Sequence, residues 1–119
     1  LDPVVVAPGE ATLIIDVTLP EGHKVNDLAP FSMDWIVDGE FAVPGAGAAR
    51  EILAPVFPVE ASADFRRGSG SLTADLSVYY CSEDAEALCL IERVRITVPV
   101  EVSDGGANRI AFEHRIAAP

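Results

Sequence analysis

The sequence predicts an all-β domain in which two sheets pack as a sandwich, and three observations carry that expectation. Apolar and polar residues alternate with a period of two over most of the chain, as strands with one buried face require. Clusters of Gly, Pro and Asp break the alternation at short intervals, the punctuation of a sandwich or barrel. The length of 119 residues suits one domain spanning the chain. A domain of this size buries roughly two thirds of the surface it exposes when unfolded, so a disulfide is optional for folding.

Each element follows from its residues. Val4 to Ala7 is a short opening strand. Leu13, Ile15, Val17 and Leu19 share one face of the next, with Thr12, Asp16 and Thr18 opposite, and Pro20-Glu21-Gly22 ends it. Phe31, Met33, Trp35 and Val37 repeat the pattern, which places the tryptophan in the core, and Asp38-Gly39 supplies a tight turn. The small, Gly-rich run from Phe41 to Ala49 reads as a loop. Pro55 and Pro58 exclude a central strand between Arg50 and Glu60, leaving an edge or an extended connection. Asp64 to Ser71 is a polar turn.

Leu72, Ala74, Leu76, Val78 and Tyr80 then face the core, so Thr73, Asp75, Ser77, Tyr79 and Cys81 face away. Val94, Ile96, Val98, Val100 and Val102 form the inward side of another strand. Pro99 falls on its outward side and marks an edge strand or a bulge. Asp104-Gly105-Gly106 turns into a last strand carrying Ile110, Phe112, His114 and Ile116. The count is about seven to eight strands, and the expected architecture is an immunoglobulin-like antiparallel sandwich. Ser82 to Arg93 holds good helix formers with acidic residues early, so a short helix competes with a hairpin there. Either connection keeps the two cysteines close.

Composition narrows the function. Eight Lys and Arg against 19 Asp and Glu set a formal net charge of -11. That charge repels phosphate backbones and anionic headgroups over a Debye length of about 8 Å at physiological salt, so nucleic acid and acidic membrane are unsuitable partners. No apolar run approaches the roughly 18 residues of a membrane span, and no membrane insertion by this domain is expected. The opening LDPVVVAPGE has neither the basic segment nor the long apolar core of a signal peptide. Without an initiator Met, the chain reads as a domain cut from a longer protein.

Candidate sites are few. Cys81, Cys89, His23 and His114 add up to a zinc ligand set, but structural zinc ligands come in close pairs and each histidine here stands alone. His114, on the apolar side of its strand, reads instead as a hydrogen-bonded core histidine. Gly68-Ser69-Gly70-Ser71 lacks the G-x-S-x-G spacing of a nucleophile elbow, and Gly45-Ala46-Gly47 lacks the third glycine of a phosphate cradle. No metal or cofactor is expected.

That leaves the cysteines of VYYCSEDAEALCL, residues 78–90. A bond between Cys81 and Cys89 closes a loop of about nine residues, worth roughly 2.5 kcal/mol in the loop-entropy model. In the reduced form, Glu83, Asp84 and Glu86 raise the thiol pKa values unless Arg93 and Arg95 fold back over the loop. On these residues a reactive pair and a structural staple both stay open.

Two blocks resemble a known family. Leu76 to Val102, with Tyr79-Tyr80-Cys81, then Cys89, then Val98-Pro99-Val100-Glu101-Val102, resembles the amino-terminal domain of the thiol:disulfide interchange (DsbD) family. Leu19-Pro20-Glu21-Gly22, Asn26 and Ala29-Pro30 are similar to the related C-terminal domain of proteins that join a thioredoxin-like domain to an NHL-repeat propeller. The resemblance implies an immunoglobulin-like sandwich. By motif it also implies a catalytic pair, Cys81 and Cys89, that takes electrons from a thioredoxin-like partner, in the same polypeptide or separate, and passes them to other proteins.

A DsbD-like protein would be periplasmic or otherwise extracytoplasmic, and an NHL-repeat protein cytoplasmic. An aromatic cap loop shields the pair in the DsbD family, a part that Phe57 or Phe65 could take here. This chain departs from the DsbD pattern in its longer and more acidic spacer between the cysteines. The alternative expectation is a non-catalytic accessory or interaction sandwich of a larger protein, whose cysteines staple a hairpin.

Overall fold

The computed structural model describes residues 2–84 and 88–118. Among them lie ten strands: β1 (Val4–Val6), β2 (Gly9–Thr18), β3 (His23–Val25), β4 (Phe31–Asp38), β5 (Ala42–Pro44), β6 (Arg50–Ile52), β7 (Val59–Phe65), β8 (Gly68–Ser82), β9 (Cys89–Val102) and β10 (Arg109–Arg115). The larger sheet has the order β1-β9-β8-β4-β6, with β3 also pairing β8, and the smaller has the order β10-β2-β7-β5.

Period-two alternation sets the packing. Leu13, Ile15 and Phe112 of the small sheet and Phe31, Leu72 and Val78 of the large one have lost nearly all contact with solvent. Each lies on the inward side of its strand, so the two faces close over one core, and each large side chain buried contributes roughly 1.5 to 3 kcal/mol. His114 is half-buried, and its Nε2 lies 2.8 Å from Glu92 Oε2 across the sandwich, so the core histidine has a hydrogen-bond partner.

The sheets are mixed rather than wholly antiparallel. β1 runs parallel to β9, and β10 parallel to β2. The two facts have one cause. β1 and β9 lie side by side in the large sheet, each chain then turns over the edge into the small sheet, and β2 and β10 emerge side by side again. The two crossings are laced together: the Ser103 amide donates to the Val6 carbonyl at 2.9 Å, and the Ala7 amide to the Ala107 carbonyl at 2.9 Å.

The strand count exceeds seven to eight because β3 and β5 have three residues each, too few to display an alternation. A second reason is β7, a central strand that begins at Val59 just past the prolines and carries only Ala61 and Ala63 at its middle buried positions, a weak apolar signal. The run from Phe41 to Ala49 thus contains β5, and Phe41 and Ala48 belong to the core. Arg50–Ile52 is an edge strand, in keeping with the nearby prolines. The turn after β7 shrinks to Arg66 and Arg67, since β8 already starts at Gly68. A Cβ on Gly70 would overlap the Asp38 carbonyl oxygen and the Phe41 ring, so glycine is what lets β8 pass beneath the turn after β4. Trp35 is half-buried, stacked edge-to-face on Phe112 with 5.2 Å between centroids, and its indole N–H donates to the Ala48 carbonyl at 3.0 Å.

β8 and β9 form a long hairpin, in register from Gly68↔Val102 to Cys81↔Cys89. Ser82 ends one strand and Cys89 opens the other, so the stretch expected as a possible helix is a hairpin whose apex, 85–87, lies outside the described residues. Ladder pairing and the burial of alternate residues outweigh helix propensity, a difference of tenths of a kcal/mol per residue.

Candidate functional site

Cys81 and Cys89 are bonded. They are direct partners across the hairpin, with Cα atoms 4.0 Å apart. One step further on, the Ser82 amide donates to the Leu88 carbonyl at 3.0 Å. Positions 82 and 88 therefore form a hydrogen-bonded pair and the cysteines a non-hydrogen-bonded one, the kind in which opposing side chains come closest. Tyr80 is buried on the inward face, so the bond lies on the outer face, as the alternation predicts.

The two cysteines differ in access. Cys81 is only 7% exposed, because its strand is flanked by β3 on one side and β9 on the other. Cys89 is exposed, and no described strand covers the far side of β9 at that level.

β3 is the part of this site that local sequence conceals. Lys24 is the register partner of Cys81, so its side chain leaves the sheet on the same face as the cystine. The segment that delivers it is fastened by turns. His23 N–H donates to the Pro20 carbonyl at 3.2 Å, with Gly22 at φ 76° in the third position, where a left-handed residue is required. The Gly22 carbonyl in turn accepts from Glu83 N–H at 2.8 Å. Asn26 N–H donates to the Tyr79 carbonyl at 2.9 Å while its Oδ1 accepts from Leu28 N–H at 3.0 Å. The blocks 19–30 and 76–102, far apart in sequence, are thus packed against each other at the cystine.

Arg93 and Arg95 do not fold back over the loop. A rise of about 3.4 Å per residue sets Arg93 about 14 Å along β9 from Cys89, and Arg95 turns to Asp75, 3.6 Å away. Lys24 is the cation beside the bond, set against exposed Glu83 and Asp84. Ser82 Oγ donates to Asp84 Oδ1 at 3.0 Å and accepts from Leu88 N–H at 2.9 Å, which ties down both shoulders of the hairpin. Glu86 lies outside the described residues.

Neither aromatic candidate covers the cystine. Phe57 packs edge-to-face on Phe31 at 5.3 Å, and Phe65 is a core residue beside Phe41, near the opposite end of the sandwich. Both histidines, by contrast, come to the cystine end. His23 lies against Tyr80 with centroids 5.6 Å apart and Nδ1 3.0 Å from the Glu21 carbonyl, on the face opposite the cystine. His114 is engaged with Glu92, also on the inward face. The rings and the sulfurs are therefore on different sides of the sheet.

The loops at this end carry exposed apolar side chains. Leu28, Leu53, Val56 and Leu88 are all at least 60% exposed, and all four sit in connections next to the cystine end of the strands. Isolated exposed apolar residues are ordinary, and these four are gathered in the connections at one end of the sandwich.

No model of a known protein family matches this chain, and no curated protein matches it.

Proposed function

We propose that the domain is a thiol-disulfide exchange module, passing electrons between a dithiol protein of thioredoxin type and other proteins through Cys81 and Cys89. The observation that carries this reading is the asymmetry of the bond. The Cys89 side is open to an incoming thiolate, while Cys81 stands beside Lys24, whose charge favours the thiolate that departs. The resemblance of residues 76–102 to the amino-terminal domain of the DsbD family supports the same reading.

The chemistry balances without a further reagent. A partner thiolate attacks the Cys89 sulfur, the bond to Cys81 breaks, and its electron pair leaves on the Cys81 sulfur, which then takes a proton from solvent. The partner's second thiolate attacks its own sulfur in the mixed disulfide and releases Cys89 as a thiolate. One disulfide is reduced, one dithiol is oxidised, and two electrons have moved. The reverse sequence reduces the next protein.

Equilibration with thiol redox buffers, followed by alkylation of the free cysteines, tests the reading. The expected reduction potential lies above about -300 mV, the level below which structural disulfides resist the glutathione pool. Rapid reduction by a thioredoxin-type protein is also expected. A bond that stays closed at more reducing potentials would overturn the proposal.

One observation favours a second reading, an accessory sandwich with a stapled hairpin: Cys81 is buried. Under that reading a Cys81→Ser and Cys89→Ser double variant melts at a lower temperature but leaves the activity of the parent protein intact. Loss of electron transfer in a stable double variant would exclude it.

A further inference from the structure

β9 outruns its neighbour on one side. β8 pairs with it along its whole length, whereas β1 pairs only with Val100–Val102 on the other edge. Pro3 and Pro99 line one shallow depression where that pairing stops, and neither has an amide proton with which to extend it. Since positions 82 and 88 are hydrogen-bonded, strict alternation turns the backbone groups of Leu90, Glu92, Val94, Ile96 and Val98 toward β8. Those of Cys89, Ile91, Arg93, Arg95 and Thr97 point to the open side. Among the described residues they have no backbone partner.

The inward face at this edge is also incompletely covered. Leu90, Val94, Ile96 and Val98 pack against the core yet remain half-buried, because the sheet above them is narrower. The local charge runs against the rest of the molecule. Arg93 and Arg95 on β9 and Arg109 and Arg115 on β10 are four of the eight basic residues, and these two strands border the same side of the sandwich. Glu92, Glu101 and Glu113 are the acidic residues on those strands, out of 19 in the chain. The Arg95–Asp75 pair, at 3.6 Å and exposed, is a loose surface contact that leaves the guanidinium available.

We propose that the open edge of β9 accepts an extended acidic segment of another protein as an added strand. A row of unpaired amides and carbonyls templates such pairing. Apolar side chains at alternate positions of the segment cover Leu90, Val94 and Ile96, and the intervening Asp or Glu side chains meet Arg93 and Arg95 on the outer face. A second copy of this chain is the poorer occupant. Edge-to-edge pairing of two β9 strands sets Arg93 and Arg95 of one copy against those of the other, and opposed like charges destabilise a strand pair. The proposal is independent of the cystine chemistry.

The test uses a labelled peptide in which valine and glutamate alternate, followed by fluorescence anisotropy and by amide exchange of the protein. The expected result is saturable binding that slows exchange at Ile91, Arg93, Arg95 and Thr97, with little effect on the amides already bonded to β8. The double variant Arg93→Glu and Arg95→Glu loses at least about tenfold in affinity. Arg93→Pro removes an amide from the open side alone and also abolishes binding. Three results would overturn the proposal: equal binding of a valine-lysine peptide, protection confined to β10 or β6, or the same protection arising with protein concentration in the absence of peptide, which would make a second copy the occupant.

Discussion

Reducing the Cys81–Cys89 bond measures what it contributes to the fold. The bond closes a loop of about nine residues, which in the chain-entropy treatment removes about 8.7 cal/mol/K from the unfolded ensemble, or about 2.5 kcal/mol at 25 °C. A domain of 119 residues has an unfolding entropy near 250 cal/mol/K, so reduction should lower the melting temperature by about 10 °C. The reduced protein should nonetheless stay folded. Its total stability is expected to be roughly 6 to 18 kcal/mol, and the hydrophobic core is assembled without either cysteine.

The assay is urea unfolding with and without dithiothreitol, read by the fluorescence of Trp35, whose contact with Phe112 across the sandwich is lost when the sheets separate. By linkage, the same 2.5 kcal/mol makes the folded bond about 55 mV harder to reduce than the same loop in the unfolded chain. A reduced protein that is unfolded at 25 °C, or one whose midpoint does not move, would refute the reasoning.

Three more outcomes follow from the geometry. In single variants, the exposed Cys89 thiol left by Cys81→Ser should react with a bulky disulfide reagent at least about tenfold faster than the Cys81 thiol left by Cys89→Ser, and equal rates would contradict the assigned direction of attack. Lys24→Glu should slow reduction of the bond several-fold while changing the urea midpoint little, as measured by stopped-flow with a thioredoxin-type protein; an unchanged rate would remove Lys24 from the site. Gly70→Ala should cost about 1 to 3 kcal/mol in urea unfolding, because the new methyl group meets the Asp38 carbonyl and the Phe41 ring in a packed corner, whereas a neutral result would mean that the turn yields freely.

β2, β4, β8, β9 and β10 were legible in the sequence, whereas β7, with alanines at two of its four buried positions, and the three-residue β3 and β5 were not. Leu72 to Tyr80 and Val94 to Val102 alternate over enough residues to name their buried faces, and with them the outward direction of Cys81. β3, β5 and β6 are held by long-range pairing, which leaves no local periodicity to read. The same limit applied to the site. The cysteines announced themselves by type and placement, but the neighbour of Cys81 is Lys24, supplied from across the sheet by β3. Arg93 and Arg95, near the loop in sequence, are carried away from it by the rise of the strand they occupy. The parallel pairs escaped for a comparable reason, since alternation determines which face is buried but carries no information on which strand lies alongside.

The paired crossings of β1 into β2 and β9 into β10 also set the direction in which the chain leaves the domain. β10 runs toward the cystine end, and Ile116 is still hydrogen-bonded there, to the Thr18 carbonyl at 2.9 Å. β1, parallel to β9, enters with its upstream backbone pointing toward that same end. A dithiol protein fused by a short flexible linker after Pro119 would be tethered beside Cys89 at an effective concentration in the millimolar range, and exchange with it would become an intramolecular event.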